Sequence, residues 1–199
     1  MTSRGLEGGR ERDAAERKLV ARAQRGDRDA IDEMVRRFWA PAYRVGYLIA
    51  QDSHAAEDIA QEAMFAAMNS LASFDKGRRF EPWIQGIAAH KAHDWVRRRS
   101  RRPEVLLDEG TATIEAADQI AEDIARDFGE SDVGRALRRL DLTQREAVVL
   151  RHLLCYSPQE VADVTGLPAA TVRTRIFRGL ARLRAEIAGE RKDSDELSG

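Results

Sequence analysis

At about 100° per residue, the stretch HAAEDIAQEAMFAAMNSL, residues 54–71, divides into two faces. Ile59, Ala60, Ala63, Met64, Ala66, Ala67 and Leu71 fall on one side, and Glu57, Asp58, Gln61, Glu62 and Asn69 on the other. Phe65 lands in the middle of the polar side. The same period recurs along the chain and predicts helices throughout, with no strand pattern of any length. One helix begins near Ala14 and closes at Gly26, a residue suited to the left-handed position after a helix end. A second, with Ile31, Met34, Val35, Phe38 and Trp39 on one side, is expected to bend or break at Pro41. Asp52 and Ser53 are candidate N-caps for the 54–71 helix, which stops at the turn-rich basic loop SFDKGRR. Glu81, Pro82 and Trp83 then open a helix that reaches about Arg99, proline being tolerated in a first turn. In it Ile84, Ala88, Ala92 and Trp95 share an apolar side, while His90, Lys91, Asp94, Arg97 and Arg98 lie toward another.

Past Pro103 the periodicity fades until about Val133, and beyond it short helices are punctuated by LDLT, CYSP and TGLP. The expected fold is therefore all-α: two small helical domains, 16–102 and 133–189, joined by a flexible linker over 103–132. A disordered segment, 1–15, and a flexible tail, 190–199, flank them. The net charge of −1 argues against a nucleic-acid partner until the charge is seen to lie in blocks. Lys76 to Arg102 carries roughly +7, Glu104 to Asp132 roughly −9, and Thr165 to Lys192 roughly +5. Two basic modules flank an acidic connector. The single cysteine, Cys155, excludes an intramolecular disulfide and suits a reducing compartment. The N-terminus lacks a signal-like apolar segment and the apolar run VGYLIA is far too short to span a bilayer, so the expectation is a cytoplasmic protein without membrane insertion.

SPQEVADVTGLPAATVRTRIFRGLARLR has helix-turn-helix organisation, with Ser157 and Glu160 in capping-box spacing and a turn at Gly166. On its second helix Val172, Ile176, Leu180, Leu183 and Ile187 form an apolar stripe, and Arg173, Thr174, Phe177, Arg178 and Arg184 project the other way. Arginines around an aromatic and a hydroxyl suit reading of a DNA major groove, against the plainer reading of a solvated basic face.

AAEDIAQEAMFAAMNSLASFD, then RRFEPWIQGIAAHKAHDWVRRRSRR, a variable linker, and LTQREAVVLRHLLCYSPQEVADVTGLPAATVRTRIFRGLARLR together resemble the bacterial sigma factors of the extracytoplasmic function group of the sigma-70 family. The resemblance runs from about Ala30 to Ile187. It implies that the first domain is region 2, which binds core RNA polymerase and reads and opens the −10 element, and the second region 4, which reads the −35 element. By that resemblance Asp58, Gln61, Glu62 and Phe65 dock on the clamp helices of the polymerase β′ subunit, with the β flap as a further contact of the chain. An aromatic ring among carboxylates suits a basic partner helix; the alternative is that Phe65 packs within its own domain. His90 and Asp94 fall at positions that help recognise −10 bases, with His90 standing where many relatives have asparagine. The loop FDKGRRFE would hold a flipped-out base. Lys76 and Lys91 belong to the −10 side as well, Arg78, Arg79, Arg97, Arg98 and Arg101 would hold its phosphates, and Arg173, Thr174, Arg175, Phe177 and Arg178 form the −35 side. Promoter DNA, core polymerase and an anti-sigma factor are the expected partners, and no cofactor is implied.

Other chemistries fit less well. His90 with His93, and His152 with Cys155, supply two ligands each at i, i+3, short of a metal site. No nucleophile elbow or phosphate-binding loop precedes any serine or cysteine, so no enzyme is expected. The runner-up is a helix-turn-helix regulator of the response-regulator type, acting without being a polymerase subunit. The first 100 residues show neither the alternating strand and helix pattern nor the acidic phosphorylation pocket of a receiver domain. A pure interaction module would lack the basic block before Arg102.

Overall fold

The computed structural model describes residues 3–101 and 131–196 and, between them, Asp123, Ile124, Arg126, Phe128 and Gly129; side chains are described from Asp13 to Gly189. Among the described residues the regular structure is helical. Helices α1 (Ser3–Ala23), α2 (Arg28–Ala50), α3 (Ser53–Ser70) and α4 (Phe80–Arg101) build the first unit, and α5 (Asp132–Arg138), α6 (Leu142–Val148), α7 (Pro158–Thr165) and α8 (Ala169–Glu196) the second.

Local chemistry sets most boundaries. The Asp27, Asp52, Ser131 and Asp141 side chains each accept a hydrogen bond from a backbone N–H three residues on, so α2, α3, α5 and α6 begin with a side-chain cap. At α7 Ser157 and Glu160 form a reciprocal capping box, with Pro158 at the helix start. Gly26 and Gly166 take φ of +83° and +65°, where a side chain would be strained. Pro41 sits inside α2 without interrupting it. The helix survives because Pro41 lies in a segment where Phe38, Trp39, Ala42, Tyr43 and Val45 are all buried and held by packing.

Two further departures from expectation concern the ends. Helix α1 begins at Ser3, inside the stretch expected to be disordered, and α8 runs on to Glu196, inside the expected flexible tail. In both cases a helix anchored by buried side chains nearer the core is extended, and each added residue gains a backbone hydrogen bond without a new nucleation cost.

The core of the first unit is the apolar face of α3, with Ile59, Ala60, Ala63 and Ala67 buried against α2 and α4. Small residues allow close approach: a side chain at Gly46 would meet the Ala56 backbone at about 3.0 Å. In the second unit α6 crosses α8 at Gly179, where an added Cβ would lie 2.7 Å from Val148 Cγ2. Val172 is buried, and Ile176, Leu180, Leu183 and Ile187 are half-buried, as the stripe on α8 requires.

The two helical units also pack on each other. α4 packs on α6 and α7, α2 packs on α6, and the buried residues of both units belong to one cluster. Residues 103–122 of the expected linker lie outside the described residues. Its end is packed: Ile124 is buried in the core and the Arg44 guanidinium lies over the Phe128 ring at 5.5 Å from its centroid. The apolar Ile124 and Phe128, set among acidic residues, carry too little periodicity to announce that contact.

Candidate functional site

On α3 the polar face is confirmed as a solvent face with a ring in it. Phe65 is 71% exposed, so it does not pack within its own domain. Asp58 and Glu62 are exposed beside it and Gln61 is half-buried. Glu62 also accepts an ion pair from Lys91 of α4 at 3.2 Å, which joins a residue expected on the polymerase side to one expected on the DNA side.

The loop between α3 and α4 is an exposed arch on buried feet. Asp75, Lys76, Gly77, Arg78 and Arg79 are exposed, while Phe74 and Phe80 at its ends are buried. Phe74, Phe80 and Trp83 form a ring cluster with centroids 4.7–5.4 Å apart, the range in which aromatic pairs attract. Within the arch the Asp75 carboxylate accepts from Gly77 N–H at 2.8 Å, an Asx turn. Along α4, His90, Arg97, Arg98 and Arg101 are exposed, and Asp94 is half-buried in an ion pair with Arg97 at 3.5 Å. The structure therefore brings the expected −10 residues to one surface, from the arch along the outer side of α4.

On α8 the expected −35 residues divide into two sides. Arg173 and Phe177, one turn apart, are both exposed, Phe177 at 75%. Thr171, Thr174, Arg175 and Arg178 instead line a polar depression of about 350 Å³ shared with Thr143 and Gln144 at the start of α6. Thr143 and Gln144 were not anticipated, because only the fold brings the start of α6 beside α8. Further along, Arg139 and Arg182 are engaged by Glu186 at 2.7 and 3.8 Å.

Two charged residues in the apolar run REAVVL were also missed. Arg145 is 8% exposed, and its guanidinium donates to the carbonyls of Leu137, Arg138 and Leu140 and, across the unit boundary, to Ile49 and Ala50 at the end of α2. Those last carbonyls of a helix lack intrahelical partners, and a cation there also meets the negative end of the helix dipole. Burial pushes the Arg145 guanidinium below its ordinary value. Glu146 is 1% exposed and its carboxylate lies 2.7 Å from His93 Nδ1 on α4. His93 thus faces Glu146 rather than His90, and among the described residues no group of three or more His, Cys, Asp or Glu could hold a metal ion.

The hydrogen bond that His93 donates to the Glu146 carboxylate raises the His93 pKa from 6.5, burial opposes it, and Asp94 and Arg97 act in opposite senses. A raised folded value means the contact is at full strength below about pH 6.5 and is lost as pH rises through that raised value. Fluorescence transfer between dyes on α3 and α8 should therefore fall with rising pH in the free chain, and His93→Gln should flatten the profile. An unchanged profile in that variant would assign the titration elsewhere.

Comparison with known proteins matches both helical units. The family model for sigma-70 region 2 matches residues 31–102, and that for sigma-70 region 4 matches residues 130–183. The sigma factor SigM of the extracytoplasmic function group, from Mycobacterium tuberculosis, is 32% identical over 179 residues, spanning 90% of this chain and 87% of that protein. The chain belongs to the sigma-70 family. As a sigma factor of the extracytoplasmic function group, it binds core RNA polymerase and directs transcription initiation, and the response-regulator alternative is not favoured. SigW of Bacillus subtilis, in the same group, is 28% identical over 86% of this chain and 96% of its own length. The fold is shared with the sigma factor RpoE in its complex with the anti-sigma factor NepR from Bartonella quintana, at TM-score 0.50 and 22% identity over 80% of this chain and 97% of that one. Sigma factors in general are not enzymes. No helix among the described residues of this sigma factor is long and apolar enough to cross a membrane.

Proposed function

We propose that this sigma factor divides its work over three surfaces. The face of α3 around Phe65, with Asp58, Gln61 and Glu62, docks on the β′ clamp helices. The arch and α4 read and hold the −10 element, through Lys76, Arg78, Arg79, His90, Lys91, Asp94, Arg97, Arg98 and Arg101. The N-terminal half of α8 reads the −35 element through Arg173, Thr174, Arg175, Phe177 and Arg178, with the second unit also meeting the β flap. The observation that carries this reading is that, among the described residues, the two most exposed large hydrophobic side chains, Phe65 and Phe177, are aromatic rings, one in each unit, both among charged side chains. Aromatic residues are enriched where surfaces are recognised, and a solvated face has no use for them.

The chain acts by binding and has no catalytic chemistry of its own; the bond-making steps belong to the polymerase. It works in the cytoplasm with promoter DNA and core polymerase, and an anti-sigma factor is a further proposed partner, as RpoE has in the solved complex.

Run-off transcription over a promoter library with purified core polymerase tests the assignment on α4. His90→Ala and Asp94→Ala should change which −10 sequences are used, because they face base edges. Arg98→Ala and Arg101→Ala should lower activity on all promoters alike, because phosphate contacts carry no sequence information. Equal scaling by all four variants would place base reading elsewhere.

A further inference from the structure

Helix α1 and Gln24, the residue that directly follows it, lie outside the residues 31–102 that match the region 2 family model, yet they grip both feet of the arch between α3 and α4. At one foot Gln24 Nε2 donates to the carbonyls of Leu71 and Phe74, both at 2.9 Å. At the other foot the Glu16 carboxylate accepts the backbone N–H of Phe80, the first residue of α4, at 2.6 Å. Glu16 is 4% exposed, and Arg37 of α2 approaches its other oxygen at 3.9 Å. Above these, Asp13 pairs with Arg79 of the arch itself at 3.3 Å.

Each bond has a physical purpose. The first N–H groups of a helix have no intrahelical acceptor, and the positive end of the helix dipole favours a carboxylate. Glu16 meets both needs at the start of α4, in a site dry enough that the bond is worth more than on the surface. The carbonyls of Leu71 and Phe74 bracket the exit from α3, and a single amide group satisfies both. The five exposed residues of the arch are thus hung between two points fixed from α1, and the Asx turn at Asp75 sets the crown between them.

We propose that α1 is a brace that sets the shape of the −10 loop, with Glu16 and Gln24 as positioning residues that act on the bound base through the backbone of residues 71–80. The inference rests on the proposed −10 role of the arch. Neither residue touches DNA in this account. They hold open the geometry that a flipped-out base enters, which a loop of five exposed residues would otherwise lose to backbone entropy.

The test uses the full chain assembled with core polymerase and a single-stranded non-template oligonucleotide carrying the −10 sequence, with base substitutions at each position. Gln24→Ala and Glu16→Ala should each lower oligonucleotide affinity roughly tenfold, as expected for a lost bond to a buried or charged partner, and flatten the discrimination between bases, while core affinity stays within about twofold. Glu16→Gln keeps an acceptor oxygen and should restore most of the discrimination. A structural fault alone would reduce core binding, helix content and oligonucleotide binding together, and base discrimination would survive in the fraction still folded. That pattern, or an unchanged base profile in Gln24→Ala, overturns the brace. If Glu16→Ala does not fold, Gln24→Ala and Asp13→Ala, the latter at a half-buried residue, decide the matter. Arg78→Ala and Asp75→Ala in the arch serve as the reference: if they too leave oligonucleotide binding unchanged, the −10 role of the arch fails; if they weaken it while the α1 variants do not, only the brace fails.

Discussion

Replacing Phe65 by alanine should weaken binding to core polymerase by about 2 to 4 kcal/mol, roughly 30- to 1000-fold, while leaving the fold intact. The ring is 71% exposed, so its removal opens no cavity in the sigma factor, and the apolar face that holds α3 in place is formed by Ile59, Ala60, Ala63, Met64 and Ala67. Against a partner helix the same ring would bury most of its area, and a central aromatic surrounded by charges is the usual form of an interface anchor. Asp58→Arg with Glu62→Arg should act in the same direction by placing like charges against a basic partner. The double reversal is the less selective test, because Glu62 already pairs with Lys91 and its reversal would set two cations together inside the sigma factor. Competition for core polymerase between labelled wild-type chain and each variant measures the effect. Affinity unchanged in both would remove the docking role from this face.

What was legible in the sequence follows from how local each signal is. The faces of α3 could be read because the alternation of alanine and isoleucine with acids at the helical period is a property of the segment alone. The same is true of the caps at Asp52 and Ser157 and of the glycine turns at Gly26 and Gly166, whose chemistry involves neighbours within a few residues. The exposed placement of Phe65 and Phe177 was likewise foreseeable, since each interrupts a polar face.

The bonds that join the pieces were not. Glu16 and Phe80 are 64 positions apart, Gln24 and Phe74 are 50, His93 and Glu146 are 53, and Arg145 reaches a carbonyl 96 positions away. No period or cap motif marks such residues, and each reads as an ordinary surface charge or amide in a helix. The one available hint is position: Arg145 and Glu146 open a run of four apolar residues, AVVL, in a helix too short to hold a polar face of its own. The packing between the two units has the same origin. Periodicity reports how a segment folds by itself, and the contact of the two units is made through buried charge and a few apolar side chains.

That contact shapes the second large expected effect, which concerns DNA. The −35 and −10 elements are about 25 base pairs apart by their names, roughly 85 Å of duplex at 3.4 Å per base pair. In the free chain α4 and α6 touch, with His93 and Glu146 at 2.7 Å and Arg145 closing the end of α2. The two readers cannot reach both elements in this arrangement. Each alone offers few base contacts, worth about 1 to 3 kcal/mol of discrimination apiece when bidentate, and the arginine-rich remainder gives salt-sensitive, sequence-blind attraction. The isolated sigma factor should therefore bind promoter DNA weakly, with dissociation constants of about 10⁻⁴ to 10⁻⁶ M at physiological salt and little preference for its promoter. Core polymerase, by engaging both units on one rigid body, fixes their separation and removes most of the ordering cost of joint binding. Adding core should raise promoter affinity by at least about 10³-fold, and permanganate reactivity of the −10 thymines should appear only then. In that complex Arg173→Ala or Arg178→Ala should abolish dependence on the upstream element. Nanomolar, site-specific binding by the isolated chain would overturn this account and return the protein to the class of regulators that find their sites unaided.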